Sequence, residues 1–413
     1  MKSVILITYS FPPDRNIGAI RPRGLAKYLP HFGWNVFVIT PLSDLPRDPK
    51  FNVIETYPSF RQKFGYWKKK IAVDYNRVSF QPPLYNRLLS YFCEIIPFPD
   101  TKKGWGVQAV FAARQIILRS KIDALISFYR PASSHFVAHK LKSLFPDLFW
   151  IADFGDLWSH NQIHEPVGAK LFLLERLEKR IISNADIITT VAAPWAEELK
   201  KLHNKESFAI PFGFDPDEYN LEIELDDKFS ITYTGSLYQQ EKNPEILFMA
   251  IKKIFSEYTS ARSDFRVHFY GKFNERLQNL INKFGLEEIV KQKGLVPREV
   301  VLRRQKSSQT LLLSTPKNIG CIPGKFFEYL GARRPILAIG YEDSVVKDLL
   351  EDTKAGVYCW KFEQVYHVLK DWYFEWKKEK IVKYHGIEEK ILSYSHKEMA
   401  KKFSRLLENF TCS

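Results

Sequence analysis

Cysteine is scarce in this chain. Cys93, Cys321, Cys359 and Cys412 are the only four in 413 residues, and no two stand at CxxC spacing. That spacing leaves no zinc ribbon and no disulfide framework to build on, and the thiols read as reduced. Long apolar runs are missing too: no stretch approaches the roughly 20 uninterrupted apolar residues that span a bilayer. Met1-Lys2-Ser3 leads into Val4 to Ile7, an apolar run too short for a secretory signal. The chain is therefore expected in the cytoplasm, with Val4 to Thr8 as a buried strand. No helix-turn-helix, zinc or RNP-type motif is present, so no nucleic-acid partner is assigned. The net charge of +14, from 61 basic and 47 acidic residues, then points to phosphorylated substrates or an acidic membrane surface.

What is present is globular material, with 45% hydrophobic and 26% charged residues. At about 150 residues per domain the length predicts two domains. In the first half, Val4 to Thr8, Val36 to Thr40, Ala124 to Ser127, Phe149 to Ala152 and Ile187 to Val191 are short apolar runs separated by helix-like stretches. That alternation is the pattern of a parallel sheet covered on both faces. It breaks between about 41 and 99, which reads as an insertion. Within it, Phe60 to Arg77 interleaves six cations with Phe60, Phe64, Tyr66 and Trp67, and reads either as a patch for an anionic membrane or as a solvated basic loop.

Turn residues cluster at Ile210 to Asp217, the expected linker. The alternation then restarts with Phe229 to Thr234, a helix near Pro244 to Ser256, and strands at Phe265 to Tyr270, Leu311 to Leu313 and Ile336 to Ile339. The expected division is 1–214 as an N-terminal Rossmann-like domain, 215–394 as a C-terminal Rossmann-like domain, and a helix over 395–413. In that last helix Met399, Phe403, Leu406, Leu407 and Phe410 fall on one side, so it should dock back. Ligands of open parallel sheets bind beyond the strands' carboxyl ends, so two such α/β domains facing one another would enclose a cleft.

The densest chemistry lies at Gly320 to Leu330. Pro323 suits the first position of a helix, whose N-terminal amides and dipole favour a phosphate, and Gly324 lets a ligand approach the backbone. Lys325 adds a positive charge. Glu328, three positions on, is placed either to accept hydrogen bonds from a vicinal diol such as a ribose or to pair with Lys325 on the surface. In the first half His135 opens a helix, and Asp153 and Asp156 follow a strand. Each reads as a cleft residue or as a structural histidine, cap or turn. Asp215-Pro216-Asp217 resembles a metal-binding pair but lies in the interdomain turn, so no metal is assigned.

Several blocks resemble family 4 glycosyltransferases, retaining enzymes of the GT-B fold: Thr8 to Pro13 with Gly18, Arg21 and Leu25 to Leu29; Asp153 to Trp158; Ile210 to Asp215; Tyr233 to Leu237; and Ile322 to Leu330 with Arg334 to Ala338. They occur in the family's order between residue 4 and about 360, and Phe327-Glu328-Tyr329-Leu330 is similar to the FEYL-like helix of a bacterial polysaccharide-type subgroup. The resemblance implies a donor site of Gly235, Ser236, Lys242, Ile322, Pro323, Gly324, Lys325 and Glu328. In it Glu328 binds the donor ribose, while Lys242, Lys325 and amides near Gly324 hold the diphosphate. It implies His135 and Asp156 at the reaction centre and Gly18, Arg21 and Asp153 towards the acceptor. Three positions depart from the family: Gly320 and Ser236 stand where many members carry glutamate and arginine, and Gly155 replaces the usual arginine between the two aspartates.

The reading is a transferase that moves a sugar from a nucleoside diphosphate sugar, its only cofactor-like requirement, to a glycan or lipid-linked acceptor in cell-surface polysaccharide synthesis. Retention at the anomeric carbon is expected, and stabilisation of the departing diphosphate would carry catalysis. The rivals are a GT-B sugar-nucleotide epimerase and an inactive sugar-nucleotide-binding scaffold.

Overall fold

A computed structural model describes residues 1–14, 16–57, 100, 102–161, 168–237, 243–317 and 320–411. The chain divides into two compact units, 1–212 with 396–413, and 213–395.

The first unit is a seven-stranded parallel sheet in the order β3-β2-β1-β4-β5-β6-β7. Its strands are β1 (Lys2–Ile7), β2 (Trp34–Pro41), β3 (Asn52–Thr56), β4 (Ala124–Tyr129), β5 (Phe149–Phe154), β6 (Ile187–Thr190) and β7 (Ser207–Ala209). The central strands are apolar on both faces because helices cover both. Val4, Ile5, Leu6 and Ile7 are fully buried, and each such side chain contributes roughly 1.5–3 kcal/mol relative to exposure. Helix Ile20–Tyr28 and a 3-10 turn follow β1, and Gly33, at φ +83°, reverses the chain into β2. The stretch from 41 read as an insertion contributes β3, an edge strand. Glu55, bonded to Arg47 at 2.8 Å, interrupts its apolar run. The closing helix His396–Thr411 belongs to this unit. Met399, Phe403 and Leu407 enter its core and Phe410 stacks on Phe149 at 5.4 Å.

The second unit is a six-stranded parallel sheet, β10-β9-β8-β11-β12-β13. It comprises β8 (Phe229–Thr234), β9 (Phe265–Tyr270), β10 (Val290–Gly294), β11 (Thr310–Ser314), β12 (Ile336–Ile339) and β13 (Gly356–Cys359). Helix Asn243–Glu257 and the long helix Phe362–Glu379 share its main core, where Phe229, Phe265, Tyr373 and Trp376 pack ring against ring. Helix Glu275–Phe284 shows how sequence sets an element's bounds. Asn274 caps its start by accepting the Leu277 N–H at 3.0 Å, and Gly285, at φ +61°, ends it. In both units strand order reverses beside the first strand, between β1 and β4 and between β8 and β11. Those are the switch points where open parallel sheets bind ligands.

Candidate functional site

The described residues of the second unit predicted to hold the donor lie at its switch point. β8 ends at Thr234 and turns at Gly235, whose φ of +113° only glycine holds without strain. Gly271, after β9, packs so closely that a Cβ there would lie 2.2 Å from the Gly235 carbonyl oxygen. From β11 the chain reaches helix Gly324–Ala332. Pro323 takes the cap position with extended backbone, ψ 132°, so the helix begins one residue later than the sequence pattern predicts. Its first turn presents N–H groups and a positive dipole end.

Lys325 leaves that first turn towards Gly235. Its ammonium lies 4.0 Å from the Tyr233 ring centroid and donates to the Tyr233 hydroxyl, which in turn donates to the Ser236 carbonyl at 3.0 Å. A Cβ on Gly235 would stand 3.2 Å from Lys325 Nζ. Glycine is therefore what allows a cation against this backbone. Ile322 is buried, Pro323, Gly324 and Lys325 are half-buried, and Gly235 and Ser236 are exposed.

Glu328 does not pair with Lys325. Its Oε1 accepts Arg298 Nη1 at 2.8 Å and its Oε2 is 3.4 Å from Gln305 Nε2. Burial works against the Arg298 charge, yet Glu328 and Glu218 outweigh it and its pKa lies above the ordinary arginine value. Next to Glu328, the buried Tyr329 hydroxyl accepts the Thr234 N–H at 2.9 Å and so pins this helix to the end of β8. Arg298, Gln305, Tyr233 and Tyr329 had no role in the sequence reading. Only the two tyrosines lay within the motif blocks that might have flagged them. Lys242 and the Phe60 to Arg77 run lie outside the described residues.

In the first unit the predicted residues separate into two kinds. Arg21 and Asp153, read as acceptor-side groups, form a buried bidentate pair at 2.8 Å for both bonds. Arg21 also donates to the carbonyls of Ile210 and Pro211 and lies between the rings of Phe212 and Phe403. Thr189 donates to Asp153 at 2.7 Å. With hydrogen bonds on so many sides, the pair ties helix Ile20–Tyr28 to β5, β6 and the end of the unit, and it is a structural joint in this conformation. Gly18 is exposed in the loop after β1, where the Asn16 side chain accepts its N–H at 3.2 Å. Asp156 is half-open and 3.3 Å from Arg130, which comes from the end of β4. An arginine thus reaches Asp156 from the neighbouring strand although Gly155 stands at the usual arginine position.

His135 is fully buried at the start of helix Ser133–Leu144. Its Nδ1 is 2.7 Å from Ser127 Oγ, which accepts the Trp150 indole N–H at 2.8 Å, and Nε2 has no partner among the described residues. Tyr129 and Phe154 enclose the ring. Burial foremost, then repulsion from His203, pushes its pKa down to about 3, so the imidazole is neutral. Asp215 accepts the Asp217 N–H at 3.3 Å and caps the short helix Pro216–Tyr219. Among the described residues no cluster could hold a metal, and no helix is long and apolar enough to cross a membrane.

No protein-family model and no curated relative matches the chain. Solved structures match it over its whole length, glycosyltransferases of the GT-B fold among them, and the two Rossmann-like units of this chain have that fold. A sucrose-phosphate synthase from Thermosynechococcus elongatus is similar at TM-score 0.67 and 14% identity, with 100% of both chains covered. HepE of Anabaena, solved with UDP and glucose, is similar at TM-score 0.63 and 10% identity, covering 99% of this chain and 100% of that one. The trehalose-6-phosphate synthase OtsA is similar at TM-score 0.66 and 10% identity, with 99% of each chain covered. At such identities the likeness is one of fold.

Proposed function

We propose that the protein is a nucleotide-sugar-dependent glycosyltransferase whose donor binds the second unit between the ends of β8 and β11. The observation that carries this reading is the convergence, at a switch point, of a helix N-terminus, the Lys325 ammonium, the positive-φ Gly235 and the Glu328 carboxylate. The first three suit a diphosphate, and the last suits a ribose diol. As the bond from sugar to diphosphate breaks, negative charge grows on the leaving group, and Lys325 and the amides are aimed where it grows. Retention, a hexosyl donor and a glycan or lipid-linked acceptor in polysaccharide synthesis follow from the family 4 resemblance and belong to the same proposal. So does docking on an anionic membrane. His135, fully buried and neutral, does no acid–base work in this reading.

The test is a thermal-stability screen of uridine, guanosine, adenosine, thymidine and cytidine diphosphate sugars. A donor at about 100 times its Kd stabilises by about 2.7 kcal/mol, which a melting scan reads easily. The parent should respond to at least one donor and Lys325→Ala should respond less. No response to any donor overturns the reading. Release of free nucleoside diphosphate on adding acceptors then separates a transferase from an epimerase, which alters the sugar without release, and from a scaffold, which does neither.

A further inference from the structure

Glu328 is held by two residues of one helix. Arg298 and Gln305 lie seven positions apart on helix Arg298–Ser307, hence on the same face. Arg298 engages one carboxylate oxygen of Glu328 and Gln305 approaches the other. Each holder is itself anchored. Arg298 donates Nη2 and Nε to Glu218 Oε2 at 2.6 and 3.2 Å, while Gln305 donates to Thr234 Oγ1 at 2.9 Å and accepts the Tyr219 hydroxyl at 3.2 Å.

An ordinary exposed ion pair contributes little and wanders. This one differs, because Glu218 and Glu328 are 14% and 17% exposed and one planar fork spans both. A carboxylate has about four lone-pair positions. With one taken on Oε1 by Arg298 and one on Oε2 by Gln305, each oxygen keeps a position for a further donor, which is the demand of a vicinal diol. The second glutamate matters as well. It retains the arginine when a diol competes for Glu328, and the trio of two carboxylates and one guanidinium keeps a net negative charge for accepting hydroxyl protons.

We propose that Arg298, anchored by Glu218, is a positioning residue that fixes the orientation of Glu328 for the donor's ribose and so sets a preference for ribonucleoside over 2′-deoxyribonucleoside diphosphates. The inference rests on the donor-site reading above and adds to it a residue that touches only the carboxylate. Without Arg298, two carboxylates stand together with no shared cation, and Glu328 is free to rotate away from the diol.

Calorimetric titration with uridine, guanosine and adenosine diphosphates and their 2′-deoxy counterparts tests this in the parent, Glu328→Ala and Arg298→Ala. The parent should favour the ribo form of its preferred base by about ten- to a hundredfold, the worth of a hydrogen bond to a charged group. Both variants should bring the two forms within about threefold of each other, a ratio that a merely structural salt bridge would not move. A flattened ratio in Glu328→Ala with the parental ratio in Arg298→Ala overturns the Arg298 proposal and leaves the ribose reading standing. The parental ratio in Glu328→Ala overturns the ribose reading, and the proposal with it. If Arg298→Ala does not fold, Arg298→Gln replaces it, since a neutral amide keeps much of the side chain's bulk but not the charge that holds both carboxylates. A parental ratio there overturns the proposal equally.

Discussion

Gly235→Ala is the sharpest perturbation of the proposed donor site that adds only one methyl group. At φ +113° an L side chain is strained, and a residue held in such a region costs about 1–3 kcal/mol. The new Cβ would also stand 3.2 Å from Lys325 Nζ and 3.3 Å from its Cε. That contact is relieved by shifting the flexible end of the lysine by a few tenths of an ångström, which disturbs the ammonium's seat on the Tyr233 ring and hydroxyl. Gly285→Ala is the matched control in the same unit. Its φ is +61° and nothing lies within 4 Å of its Cβ, so it carries backbone strain of about 1–2 kcal/mol with no displaced neighbour. Both variants should melt lower, by about 2–4 °C per kcal/mol for a unit of this size. They should part company in calorimetry with the nucleoside diphosphate the parent prefers. Gly235→Ala should bind it about ten- to a hundredfold more weakly, the equivalent of one hydrogen bond from a charged donor, and Gly285→Ala should bind as the parent does. Parental affinity in Gly235→Ala would refute the placement of the diphosphate between Gly235 and Lys325. A matching loss in Gly285→Ala would show that affinity follows stability alone.

Two further outcomes follow from the first unit. Arg21→Ala strands the Asp153 carboxylate in the interior and should cost about 3–5 kcal/mol in urea unfolding, whereas a loss under 1 kcal/mol would show that the pair is not the joint its hydrogen bonds describe. His135, with a folded pKa of about 3 against an ordinary 6.5, binds fewer protons folded than unfolded between those values. Stability is therefore lost as pH falls through that window, by about 1.4 kcal/mol per pH unit from this group. His135→Phe should unfold with a shallower pH dependence than the parent between pH 6 and 4, and an unchanged slope would mean that the imidazole titrates normally.

How much of this was legible in the sequence depends on where each element lies in the sheet. Central strands such as Val4 to Ile7 and Leu311 to Leu313 are buried on both faces and announce themselves as unbroken apolar runs. Edge strands carry no such signal. β10 is Val-Lys-Gln-Lys-Gly with alternate residues in solvent, and β7 is Ser-Phe-Ala with none fully buried, so neither stands out as an apolar run. The same contrast holds for the site. Pro323, Gly324, Lys325 and Glu328 lie within six residues, and helix-terminus chemistry reads directly from such spacing. Arg298 stands 30 positions from Glu328, and Tyr233 92 from Lys325; only the folded sheet brings them together. Arg21 and Asp153, which the family resemblance puts towards the acceptor, show what local patterns leave out. Here they lie 132 residues apart, and each removes the cost of burying the other. Each charge has a partner in the same chain, and local patterns cannot register partners at that separation. The start of helix Gly324–Ala332 depends less on such partners, because its backbone amides and dipole come with the helix itself and need no distant residue to supply them.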